Sequence, residues 1–130
     1  MKPLLSSFQE PVYAAMRVVV GFLFACNGAQ KLFGVFGADS AVPLMSRIGA
    51  AGAIEFFGGV FVLLGLFGPW AAFIASGEMA FAYFLVHFPQ GLWPIQNGGE
   101  RAAFYCFVFL FIAARGSGIF SLDGLMSKKR

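Results

Sequence analysis

Residues 47–67 read RIGAAGAIEFFGGVFVLLGLF, a run in which Glu55 is the only charge after Arg47. A helix crossing a bilayer needs about 20 mostly apolar residues, so this stretch predicts a membrane span and decides the fold class. Upstream, residues 11–36 form a second candidate, opened by Pro11 where a first helical turn tolerates proline and closed near Gly34 and Gly37. Downstream, Gly68-Pro69 makes a turn into a span at 69–88, which carries Glu78 and must stop at Pro89. A further span occupies residues 98–115. The segment FPQGLWPIQN at 88–97 is too short and too rich in proline to cross, and Trp93 places it at the headgroup level. The expectation is one membrane domain over residues 1–130, an all-α, membrane-embedded four-helix bundle.

Composition agrees. Of 130 residues, 59% are apolar and 12% charged, with a mean hydropathy of +0.80. Soluble domains carry about 25% charged residues, so this chain lacks the polar groups to cover a water-facing surface. Nucleic-acid binding and cytosolic enzymology are argued against, and the lipid bilayer is the expected partner. The net charge of +3 owes much to the run Lys128, Lys129 and Arg130, which suits an anionic lipid surface. Leu23-Phe24-Ala25-Cys26 loosely resembles a lipoprotein cleavage box, but Glu10 and Arg17 precede the apolar core and Phe24 is bulky, so the N-terminal segment reads as the first span. Four spans put both termini on one side with Lys2, Arg115 and the terminal run, and the positive charge assigns that side to the cytoplasm. Glycines within the spans, among them Gly21, Gly28, Gly52 and Gly59, permit close helix approach.

Charges inside spans are expensive, about 2.5–3.5 kcal/mol for a central Arg, Lys or Asp, so they mark interior polar sites. Glu55 and Glu78 have no basic residue one helical turn away and need partners from other helices. Alternating span direction gathers Asn27, Gln30 and Lys31 with Glu55, Glu78, His87, Glu100 and Arg101 in the non-cytoplasmic half. Lys31 is the better partner for Glu55 or Glu100. Arg17 lies about 21 Å away along the same helix, too far to serve one small site with Lys31. Two readings fit the cluster: a salt-bridge network fixing helix register, or a site for protons, a quinone headgroup or another substrate. His87 and Glu78, nine residues apart, point to opposite faces of an ideal helix, so no metal site is expected. Cys26 and Cys106 lie at similar depth and form a possible redox pair, against a reading as inert packing thiols. The aromatic run from Phe104 to Phe111 either cradles a flat ring or faces lipid.

Several separated motifs resemble the DoxX family of small four-helix inner-membrane proteins. Asn27-Gly28-x-Gln30-Lys31-Leu32-Phe33 is similar to the family's HGxQKL segment, with Asn27 where histidine is usual. Glu55-x-x-Gly58-Gly59, His87, Asn97-Gly98-Gly99-Glu100 and Gly116-x-Gly118-x-x-Ser121-Leu122-Asp123 extend the likeness, which runs from about Arg17 to Leu125. The resemblance implies a relative of subunits of thiosulfate:quinone oxidoreductase and quinol-oxidase assemblies, or of partners of soluble thiol and oxidative-stress enzymes. Gln30, Lys31, Glu55, His87, Asn97 and Glu100 are the positions it carries over. An amide at Asn27 can orient a ligand but cannot titrate near neutrality.

Three functions compete. A redox-associated subunit would take a quinone from lipid, with Lys31, Asn27 or His87 bonding its oxygens and a carboxyl moving protons. No cofactor is certain and quinone is possible. Because the chain has no flavin, iron–sulfur or dinucleotide motif, electrons would come from a soluble or membrane redox partner. A second copy of the chain is another open partner. The alternatives are a non-catalytic scaffold or assembly subunit, and a small proton-coupled transporter.

Overall fold

The computed structural model describes residues 1–128, so the expected anionic-lipid contacts of Lys129 and Arg130 lie outside the described residues. Among those residues there is no strand. Six α-helices run in the order α1 (Gln9–Phe33), α2 (Arg47–Leu64), α3 (Gly68–Ala82), α4 (Pro94–Asn97), α5 (Glu100–Arg115) and α6 (Leu122–Lys128). Three helical stretches, Ser6–Phe33, Arg47–Leu64 and Gly68–Gln90, are long and apolar enough to cross a membrane. With 16 residues α5 extends about 24 Å, short of the roughly 30 Å hydrocarbon core. Large apolar side chains face outward from every long helix, among them Phe22, Phe57, Phe73 and Phe107, as a lipid-facing surface requires.

α1 packs mainly on α2, and α3 on α5. Glycine makes the first contact possible. A Cβ on Gly21 would lie 2.6 Å from the Leu63 nitrogen and 2.7 Å from the Gly59 oxygen, and one on Gly28 would lie 2.6 Å from the Gly52 oxygen. Gly21 and Gly28 are two turns apart on α1, as are Gly52 and Gly59 on α2, and their pairing makes the helices antiparallel with backbones in contact. α1 stops at Phe33 rather than near Phe36, because Gly34 turns left-handed at φ 65°. Ser46 caps α2, its hydroxyl accepting from the Gly49 N–H at 3.0 Å.

The chain after α5 folds back under the opposite end of the molecule. Tyr13 donates to the Gly116 carbonyl at 2.6 Å. Arg17, fully buried, donates to the carbonyls of Val62 (3.1 Å), Ile119 (3.0 Å), Phe120 (2.7 Å) and Ser117. The buried guanidinium is thus satisfied by backbone oxygens, one near the end of α2 and three from the segment after α5. Asp123 accepts from the N–H groups of Phe67 (2.8 Å) and Gly68 (2.9 Å) and from the Ser117 hydroxyl (2.6 Å), so the tail supplies the N-terminal cap that α3 lacks in its own sequence. Burial pushes the Asp123 carboxyl up, but the bonds from Ser117, Gly68 and Phe67 and the Arg17 charge outweigh it and hold the group below its ordinary value.

Candidate functional site

At the end of the molecule away from Arg17, the helices enclose a cavity of about 450 Å³. Its polar lining is Asn27 and Lys31 from α1, Arg47 and Glu55 from α2, Glu78 from α3, His87 from the segment after α3, and Arg101 from α5. Its apolar walls include Phe24, Ile54, Met79, Leu85 and Tyr105. The Tyr105 ring stacks on Phe109 with centroids 5.8 Å apart, and Phe24 packs against both.

Lys31 and Glu55 form the centre. The ammonium lies 2.6 Å from both carboxylate oxygens, and Glu55 is only 2% exposed. Gly52 makes room for this, since a Cβ there would come within 3.0 Å of the Lys31 Cβ. Glu78 stands next to Glu55, and its Oε2 is buried without a hydrogen-bond partner. A buried polar atom left unpaired costs about 1–3 kcal/mol. Asn27 donates its amide N–H to the Leu23 carbonyl at 3.0 Å.

His87 reaches the cavity because the helix is not ideal. Residues Tyr83–His87 form a π turn, in which the Phe88 N–H bonds back to the Tyr83 carbonyl. The extra residue withdraws about 100° of helical phase, so His87 swings from the face opposite Glu78 round to the cavity that Glu78 lines. That corrects the opposite-face expectation. Among the described residues no group of three His, Cys, Asp or Glu side chains could hold a metal ion.

Three other candidates sit elsewhere. Gln30 donates to the Phe36 carbonyl at 3.0 Å and fastens the loop after α1. Asn97 is buried; its side chain bonds the Gly91 carbonyl (2.9 Å) and the Gly99 N–H (2.7 Å), shaping the turn into α5, and its backbone oxygen meets His87 Nδ1 at 3.3 Å. Glu100 is exposed and lines an outer apolar groove with Phe104 and Phe107. Cys26 and Cys106 are both free thiols, and the Cys106 sulfur lies 3.5 Å from the Ser76 hydroxyl. Of the aromatic run, Phe104, Phe107 and Phe111 are exposed, Phe109 is in the core and Tyr105 alone lines the cavity.

Sequence reasoning missed Arg47, whose position at the start of a span reads as an interfacial anchor, and did not separate Tyr105, which lines the cavity, from the outward-facing members of its aromatic run. It also gave no role to Arg17. A lone arginine one stripe along from Gly21 signals an interior position, but the carbonyls it binds leave no mark in a sequence.

Comparison with known proteins agrees with the motifs. The DoxX family model matches residues 12–88, more than half of the chain. An uncharacterized protein of Haemophilus influenzae is 37% identical over 134 residues, spanning 96% of this chain and 98% of its own length. No solved structure matches significantly. The family match holds α1 to α3 with Asn27, Lys31, Glu55, Glu78 and His87, while the relative carries the likeness through the tail. By that family match over more than half of its length, this chain belongs to the DoxX family.

Proposed function

We propose that this chain is a quinone-linked subunit of a membrane redox assembly, with its cavity receiving a flat, oxygen-bearing ring from the bilayer. It lies in the inner membrane as a multi-pass protein with both termini cytoplasmic, which puts Arg115 and Lys128 inside and the cavity towards the outer leaflet. The single observation that carries the reading is the convergence of polar groups from α1, α2, α3, the π turn after it and α5 on one otherwise apolar cavity. The donor set fits a quinone-type ring: Tyr105 and Phe24 offer apolar faces, while Asn27, Lys31 and His87 offer polar contacts at its edge.

Such a ring, when bound, supplies two-electron, two-proton chemistry. The chain's part is to orient the ring, keep bulk water from it and hold a proton at the carboxyl of Glu78. A partner protein supplies the electrons. The test is equilibrium binding of a decyl-substituted benzoquinone couple to the purified chain in detergent. Saturable binding that Asn27→Leu and Glu78→Leu both weaken supports the reading; binding of neither redox form removes it. The scaffold reading draws on the Arg17 clamp, which orders the tail without using the cavity, and it predicts destabilised variants with no ligand dependence.

A further inference from the structure

We infer that the mouth of the cavity binds an anionic phospholipid, whose phosphate bridges Arg47 and Arg101 while its acyl chains lie against the apolar edge between α2 and the end of α3. The site leaves the buried end of the cavity to the ring, so it stands apart from the ring reading above.

The charges around the cavity do not balance at its mouth. Besides His87, three basic side chains line it, Lys31, Arg47 and Arg101, against two carboxyls, Glu55 and Glu78. Both carboxyls lie together in the interior: Lys31 donates to both oxygens of Glu55, and Glu78 stands beside Glu55. Arg47 opens α2 eight residues before Glu55, about 12 Å away along the helix axis. Among the described residues the ion pairs are Lys31 with Glu55 and Arg115 with Glu10, so neither arginine at the mouth has a carboxylate partner there. Glu100, next to Arg101 in sequence, lines the outer groove with Phe104 and Phe107 rather than the cavity.

The helix arrangement sets the two guanidinium groups across from one another. α1 packs on α2, α2 on α3 and α3 on α5, while Phe24 of α1 packs on Tyr105 of α5. α2 and α5 therefore stand diagonally in the bundle, and Arg47 and Arg101, both exposed, approach the mouth from opposite sides. Two like charges facing across one opening are relieved by an anion between them, and the planar fork of arginine matches a phosphate through paired N–H···O bonds.

The rest of the ligand follows from the walls. Ile48 of α2, Phe81 of α3 and Leu85 of the π turn line the same cavity, yet each is more than half exposed. Residues that both line a cavity and face outward mark where it opens sideways, here onto the bilayer. A free oxyanion would use the arginines alone; a phospholipid uses the arginines and this apolar edge together, and the bilayer supplies it at that depth.

The test is lipid binding to the purified full chain in nonionic detergent, followed by native mass spectrometry during titration with phosphatidylglycerol or with phosphatidylcholine of the same acyl chains. The expected result is about tenfold tighter binding of phosphatidylglycerol, from two basic side chains acting on one net negative charge. Arg47→Gln and Arg101→Gln should each reduce that preference, and the double variant should bind the two lipids equally. Because both side chains are exposed, the variants should keep the melting temperature of the parent chain. Lys128→Gln, at the other end of the molecule, should keep the full preference. Equal affinities in the parent chain, or a preference that survives in the double variant, overturn the inference. Inorganic phosphate that displaces phosphatidylglycerol at the lipid's own concentration also overturns it, because the apolar edge would then add nothing. Binding of decyl-benzoquinone reads the ring site separately.

Discussion

Removing the ammonium of Lys31 should destabilise the protein far more than removing the charge of Glu55. In the folded state Lys31 donates to both Glu55 oxygens, at 2.6 Å each, and the two side chains differ sharply in exposure, 33% for Lys31 against 2% for Glu55. Lys31→Met leaves a carboxylate buried with no compensating charge, a change that costs about 3–5 kcal/mol. Glu55→Gln leaves an ammonium that water already reaches, and the amide can still accept a hydrogen bond, so the loss should be about 1–3 kcal/mol. The double variant removes both charges and should be more stable than Lys31→Met alone, with a coupling of about 0.5–3 kcal/mol. Reversible unfolding in mixed micelles, followed by tryptophan fluorescence, measures all four corners of this cycle. Equal single losses that simply add in the double variant would refute the reasoning, because they would mean that the pair is hydrated or unformed.

Three further outcomes follow from other parts of the molecule. Gly21→Ala should lose about 1–3 kcal/mol in the same assay, since its Cβ would meet the α2 backbone at 2.6 Å, whereas Gly77→Ala, with nothing within 4 Å, should be neutral or gain up to about 1 kcal/mol; equal effects would contradict the α1–α2 contact. Asp123 has a folded-state pKa below its unfolded value, so its contribution is present above the ordinary carboxylate range and is lost as pH falls through the depressed folded value. Melting temperature should therefore hold steady down to about pH 4 and fall below it, and Asp123→Asn should flatten that fall; an unchanged acid limb in the variant would contradict the cap. Cys26 and Cys106 should both alkylate completely in denaturant without prior reduction, and a mass corresponding to a disulfide would contradict the free-thiol state.

The parts of this account that a sequence reveals are those in which a residue is out of keeping with its surroundings. Glu55 and Lys31 stand in apolar stretches at about the same depth, and that alone suggests their pairing. Gly21, Gly28, Gly52 and Gly59 indicate close helix approach for a similar reason, though not which helix meets which. The less legible features depend on backbone. The π turn at Tyr83–His87 changes the phase on which the separation of His87 from Glu78 was judged, and no residue type announces it. Arg17 binds carbonyl groups, which every residue has, so its role as the tail's anchor emerges only once the tail is seen beneath it. Gln30, Asn97 and Glu100 fall at the expected end of the molecule, yet the first two bond local backbone and the third faces outward. Depth along a span predicts neighbourhood; it does not predict direction.

The central claim, that side chains of separate helices form one ligand chamber, is tested most directly by photolabelling the purified chain with an azido-benzoquinone and mapping the modified residues by mass spectrometry. The account predicts labels clustered on residues 24–31, 48–55, 78–87 and 101–105, competed away by unlabelled benzoquinol. Labels confined to the outward faces of Phe104, Phe107 and Phe111, or indifferent to the competitor, would contradict it.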